Sequence, residues 1–126
     1  MKENLDAVQA LAHASRVYVP NGSEDLLLTA WQGDALQGFA AWQSVLDEAT
    51  LLGIAVSPNA RRKGIAASLV AAGEAQLPQA KTFFLEVRAG NEAAQALYRA
   101  CGYAPIATRK AYYGDEDALI FRKEMP

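Results

Sequence analysis

The sequence predicts an α/β (α+β) fold: a mixed, mostly antiparallel sheet flanked by helices. Segments with apolar residues at helical spacing alternate with short apolar runs bounded by turn residues. Read in order they give α, βββ, α, β, α, ββ, a pattern that places helices against a sheet. The chain of 126 residues is within the size of one domain, and 52% apolar with 21% charged residues is a globular balance. With no repeat, low-complexity tract or linker, residues 1–126 are expected to form one domain.

Residues 3–15 carry Leu5, Val8, Leu11 and Ala12 on one helical face. Val17 to Asp25 contains Pro20-Asn21-Gly22-Ser23, which is loop chemistry. Leu26–Trp31, Ala35–Ser44 and Ala49–Val56 read as strands joined by short turns at Gln32-Gly33-Asp34 and Leu46-Asp47-Glu48, an antiparallel meander. Gly53 inside the third strand signals a bulge or a close backbone approach. Ser57-Pro58-Asn59 ends that strand, and an Ala-rich helix runs from Gly64 to Leu77 before Pro78. Thr82–Val87 is an apolar strand, and Asn91–Cys101 a helix with Ala94, Leu97, Tyr98 and Cys101 on its stripe. Gly102 is placed as its left-handed closing residue. Strands at Pro105–Tyr112 and Ala118–Met125 follow, joined through Gly114-Asp115-Glu116-Asp117.

Lys plus Arg is 12 and Asp plus Glu 14, a net charge of −2. That balance offers no general attraction to nucleic acid or anionic membrane, so any phosphate binding must be local. Apolar runs are strand-sized, short of the roughly 20 residues that span a bilayer. The start, Met1-Lys2-Glu3-Asn4, lacks an apolar leader, and a cytoplasmic location is expected. One cysteine, Cys101, and one histidine, His13, make neither a disulfide framework nor a Cys/His zinc site, and no metal is expected. Cys101 reads as a small core residue.

Arg61-Arg62-Lys63-Gly64-Ile65-Ala66 stands between a strand and a helix. Cations at a helix N-terminus oppose the macrodipole unless an anion sits there. A solvated basic loop is the competing explanation. Glu86 lies within the apolar run Phe83–Val87, where a carboxylate needs a partner or a wet cleft; the plain alternative is a salt bridge to Arg88 on the same strand face. Asn91 suits a helix N-cap and Tyr98 core packing.

Taken together these residues carry a family resemblance. Arg61, Gly64 and Ala66 fill the Arg/Gln-x-x-Gly-x-Gly/Ala pyrophosphate loop of the GNAT acetyltransferases, directly after Ile54-Ala55-Val56. The segment from Leu85 through Glu86, Asn91 and Tyr98, with Cys101-Gly102-Tyr103, Arg109, Tyr112-Tyr113 and Glu116-Asp117-Ala118, is similar to the members that acetylate the N-terminal alanine of a ribosomal protein. So is Val45 to Leu51, and the resemblance spans residues 36–123.

It implies a GNAT fold with a shortened N-terminal helical region, and acetyl-CoA as co-substrate. Glu86 would be the general base and Tyr98 the general acid. Ile54, Ala55 and Val56 would hold pantetheine by their main chain. Arg61, Arg62, Lys63, Gly64, Ile65, Ala66 and Ala67 would cradle the pyrophosphate, and Asn91 would touch the cofactor. The implied acceptor is the N-terminal α-amine of a ribosomal protein, with no nucleic acid or membrane partner. Ser15 to Asp25 is short and lacks the aromatic-Pro-Trp segment of the acceptor wall, and the loop after Tyr113 is short too. A small-molecule amine such as a polyamine or antibiotic, or a silent acetyl-CoA-binding module, therefore stays open as an alternative.

Overall fold

The computed structural model describes residues 2–112, 114 and 116–126. Tyr113 and Asp115, named above in the last loop, lie outside that range. Helix α1 is Lys2–Ser15, α2 Ile65–Gln76 and α3 Glu92–Ala100. The strands are β1 Leu26–Gln32, β2 Ala35–Val45, β3 Glu48–Val56, β4 Thr82–Arg88, β5 Ala104–Arg109 and β6 Ala118–Glu124. They form one sheet in the order β1-β2-β3-β4-β6-β5, antiparallel except for the β3–β4 pair. The expected element order and the mixed, mostly antiparallel sheet are both present. No described helix is long and apolar enough to cross a membrane.

Strand alternation divides the core into two layers. Ala40, Trp42, Phe83, Leu85, Val87 and Phe121 share one layer with Leu69 and Val70 of α2 and Tyr98 of α3. Phe39, Ala41 and Ala55 pack on the other face against Val8 and Ala12 of α1. Trp42, Phe39, Phe83 and Phe121 are fully buried, each stabilising the fold by about 1.5–3 kcal/mol on the transfer scale. The side chains between Phe83, Leu85 and Val87 must therefore point to the α1 face, and Glu86 is one of them.

The end of α3 is tightly specified. Gly102 takes φ +98, its N–H donates to the Arg99 carbonyl at 3.0 Å, and the Tyr103 N–H donates to the Tyr98 carbonyl at 2.9 Å. This is the Schellman arrangement, closed by the edge-on contact of the Tyr98 and Tyr103 rings at 6.4 Å. Cys101 caps the helix, half buried, and burial followed by the nearby Glu74 charge pushes its thiol up. It is a structural thiol, as its apolar setting in the sequence suggested.

One strand is shorter than expected. β5 stops at Arg109 rather than continuing to Tyr112, because Ala111 turns to φ 51 and its N–H donates to Asp117 Oδ1 at 2.8 Å. A side-chain acceptor has replaced the next rung of the ladder.

Candidate active site

The parallel pairing of β3 with β4 runs only from Glu48–Thr82 to Leu51–Leu85. There β3 bulges. Ala41 of β2 faces Gly53 while Trp42 faces Leu51, so Leu52 is the extra residue. The bulge reverses the alternation: Leu51 and Ile54 join the α2 layer, whereas Leu52 and Ala55 join the α1 layer. Beyond it β3 pairs only with β2, and β4 only with β6. The two strands part and leave a cleft of about 1020 Å³ between them.

Gly53 combines the two features that its position suggested. Besides adjoining the bulge, it is crossed so closely that an added Cβ would sit 2.9 Å from Tyr18 Cβ. The chain reaches it by leaving α1 through Arg16 at φ 59, with the Arg16 and Val17 N–H groups donating to the His13 and Ala12 carbonyls, each at 3.2 Å. Tyr18 then donates its hydroxyl to Glu24, which pushes the phenol up to about 12, with burial and the Glu24 charge adding to the effect. Arg16, Val17 and Tyr18 thus wall the cleft on the α1 side.

On the opposite side α2 begins at Gly64, at φ 74, with no side chain capping its first turn. The free N–H groups and the macrodipole there favour an anion. Arg61, Arg62 and Lys63 are exposed beside it, and none of them forms an ion pair among the described residues. Nothing lies within 4 Å of a Cβ added at Gly64. Arg61 and Ala66 line the cleft, whereas Arg62, Lys63, Gly64, Ile65 and Ala67 stand beside it in the same turn without lining it.

Asn91 caps α3, its Oδ1 accepting from the Ala94 N–H at 3.1 Å, and it also lines the cleft. Tyr98 is 5% exposed and packs against Tyr103 and Phe121 at 6.4 Å, so core packing and a place in the cleft are both true of it. Its hydroxyl makes no hydrogen bond among the described residues, yet it is not sealed off from the cleft. Burial, with a lesser contribution from Cys101, pushes the phenol up to about 12.

Glu86 enters the cleft from the α1 face. Its ion pair is with Arg109 at 3.3 Å, not with Arg88 as strand spacing suggested. Arg88 is paired with Glu116 at 3.4 Å, and Glu116 also accepts from the Gly90 N–H at 2.8 Å. The slot therefore brings together a carboxylate from one sheet face and a protonated phenol from the other. Ile54, Ala55 and Val56 lie along it on the β3 edge that β4 has left.

The acetyltransferase (GNAT) family model matches residues 5–103. The chain belongs to the GNAT family. The [ribosomal protein bS18]-alanine N-acetyltransferase of Salmonella typhimurium is 43% identical over 102 residues, covering 76% of this chain and 68% of that protein. The crystal structure of the ribosomal-protein-S18-alanine N-acetyltransferase from Escherichia coli aligns with a TM-score of 0.84 at 31% identity, over 98% of this chain and 89% of that one. A Bacillus subtilis acetyltransferase solved in complex with CoA has the same fold, with a TM-score of 0.71 at 21% identity over 79% of this chain and 76% of that one.

Within this GNAT fold, sequence reasoning missed the cleft wall formed by Arg16, Val17, Tyr18 and Tyr112. Gly53 signalled that something approaches closely, but not which segment does. Asp47 and Glu48 do not line the cleft, while Glu116 and Asp117 are engaged with Arg88 and Lys110.

Proposed function

We propose that this GNAT enzyme transfers an acetyl group from acetyl-CoA to the N-terminal α-amine of a ribosomal protein, at an alanine, by direct attack. The observation that carries the proposal is that Glu86 and Tyr98, set on opposite faces of the sheet, line the same cleft. The printed activity of the Salmonella relative supplies the acceptor class.

Acetyl-CoA supplies the thioester that the amine attacks and the thiol that leaves. The residues suit it: uncapped N–H groups and unpaired cations at α2 for phosphates, and the unpaired edge of Ile54 to Val56 for an amide-bearing arm. Glu86 accepts the proton that the attacking nitrogen loses. Tyr98 donates its proton to the departing sulfur. A phenol pushed up to about 12 stays protonated at neutral pH and so is present as a donor, while its raised pKa makes it a weaker acid toward the thiolate than an ordinary tyrosine.

An α-amine is the easier acceptor for a single carboxylate base. Its pKa of about 7.7–8.0 lies roughly 2.5 units below that of lysine, so neutral lysine amine is about 300 times scarcer. A short peptide beginning with alanine should be acetylated at its N-terminus, and the same peptide with a blocked N-terminus much more weakly. Mass spectrometry locates the acetyl group. Modification confined to internal lysines or to polyamines would defeat this acceptor assignment.

Binding has its own test. Acetyl-CoA at about 100 times its Kd should stabilise the fold by about 2.7 kcal/mol, a rise in Tm of several degrees for a domain of this size. Gly64→Asp places a carboxylate at the α2 N-terminus, where nothing crowds an added Cβ and where φ 74 strains an aspartate less than most side chains. The variant should stay folded and lose the shift; equal shifts in both proteins would rule the loop out.

A further inference from the structure

The reaction proposed above gives no task to the residue that pairs with Glu86 from outside the cleft lining. Arg109 reaches Glu86 from two strands away. Glu86 pairs in register with Ile120 of β6, and Ile120 with Ala107 of β5, so all three share a sheet face. Arg109 is two residues beyond Ala107 and opposite Ala118, hence on that same face. Its guanidinium extends across β6, past the small Ala118 side chain, to place Nη1 3.3 Å from Glu86 Oε1. The guanidinium also lies 5.3 Å from the ring centroid of Tyr112, a residue of the cleft wall.

This contact does little for the fold. Arg109 and Glu86 side chains are 52% and 29% exposed, and ion pairs that open to solvent add little to stability. β5 is held to β6 by its own ladder. What the contact does determine is where the carboxylate sits, since the Glu86 side chain has rotamers that would turn it away from the slot. With Arg109 on Oε1 and Tyr112 against the guanidinium, Oε2 is the oxygen of Glu86 that holds no ion pair among the described residues.

We propose that Arg109 is a positioning residue, which holds Glu86 by Oε1 so that Oε2 receives the proton of the acceptor amine. The proposal rests on Glu86 being the base. Three variants, Arg109→Gln, Arg109→Lys and the double variant Glu86→Gln/Arg109→Gln, are compared with Glu86→Gln and the parent by steady-state kinetics on the alanine peptide.

A pair this exposed can bias the placement of the carboxylate by only a few-fold, so Arg109→Gln should lower kcat/KM for the acceptor by about two- to fivefold. The KM for acetyl-CoA should not change, because Arg109 lies on the face away from Tyr98 and α2. Lysine should recover part of the loss. The double variant should be no slower than Glu86→Gln alone, since Arg109 acts only through that carboxylate.

An Arg109→Gln enzyme as fast as the parent would overturn the proposal. A faster one would do so too, by showing that Arg109 blocks Glu86. Losses that multiply in the double variant would assign Arg109 an independent role. Should Glu86→Gln itself keep full activity, the base assignment fails first, an outcome distinct from a slow Glu86→Gln beside an unaffected Arg109→Gln.

Discussion

Glu86→Gln should lower kcat/KM for the amine acceptor by about 10²–10⁴-fold, the usual contribution of a positioned general base. The loss should deepen as pH falls below the α-amine pKa of about 7.7–8.0. In that range the acceptor arrives as ammonium, and among the described residues lining the cleft no other carboxylate or imidazole is placed to take its proton. The substitution keeps the size of the side chain and removes only a part-exposed ion pair with Arg109. Such pairs contribute about 0–1 kcal/mol, so Tm should move by no more than a few degrees. A large kinetic effect with an unchanged Tm separates catalysis from a structural salt bridge. An enzyme with unaltered rates across pH would return Glu86 to the ion pair alone.

Much of this architecture was legible in the residues, and the parts that were not share a cause. Strand alternation and turn residues are local signals, and they placed all six strands and the bulge at Gly53. Gly102 likewise announced the end of α3, because few other residues suit φ +98. By contrast, the partner of Glu86 depended on a competition that spacing does not reveal. Arg88 is two residues away on the same face, but Glu116, 28 residues later, engages it. Glu86 is then served from β5, across an intervening strand.

The β5 end was misjudged for a similar reason. Alanine at position 111 gives no warning of a positive φ, and the acceptor that turns it, Asp117, is six residues on. The cleft wall at Arg16 to Tyr18 depends on how α1 docks, which the helical stripe alone does not orient along β3. The basic turn was read as an anion site at a helix N-terminus or else a solvated loop, and only Arg61 and Ala66 of its set line the cleft. A turn presents successive side chains in different directions, so adjacency in sequence overstated the lining.

Tyr98→Phe should lower kcat by about a hundredfold, the low end of general acid catalysis. The low end applies because a thiol with a pKa near 8.5 is already a fair leaving group and needs less help than an alkoxide. Affinity for acetyl-CoA should hold, since only a hydroxyl is removed and the ring keeps its contacts with Tyr103 and Phe121. The pH dependence is a second readout. With the phenol pushed up to about 12 by burial, Tyr98 stays a donor well beyond pH 10, so parent kcat should show no alkaline loss traceable to it in the neutral-to-mildly-basic range.

The same shift has a consequence for stability. The unfolded phenol titrates near 10 and the folded one near 12. Between those values the unfolded chain has lost the proton that the native state keeps, so stability falls as pH rises through that window. Phenylalanine removes this contribution, while Tyr103, also pushed up by burial and by its hydrogen bond to Glu74, retains its own. The variant should therefore be slower at neutral pH and yet lose less stability than the parent between about pH 10 and 12. Stopped-assay kinetics and thermal unfolding across that range measure the two effects separately. Unchanged kcat with the stability difference intact would leave Tyr98 as core packing and require another donor for the leaving thiol.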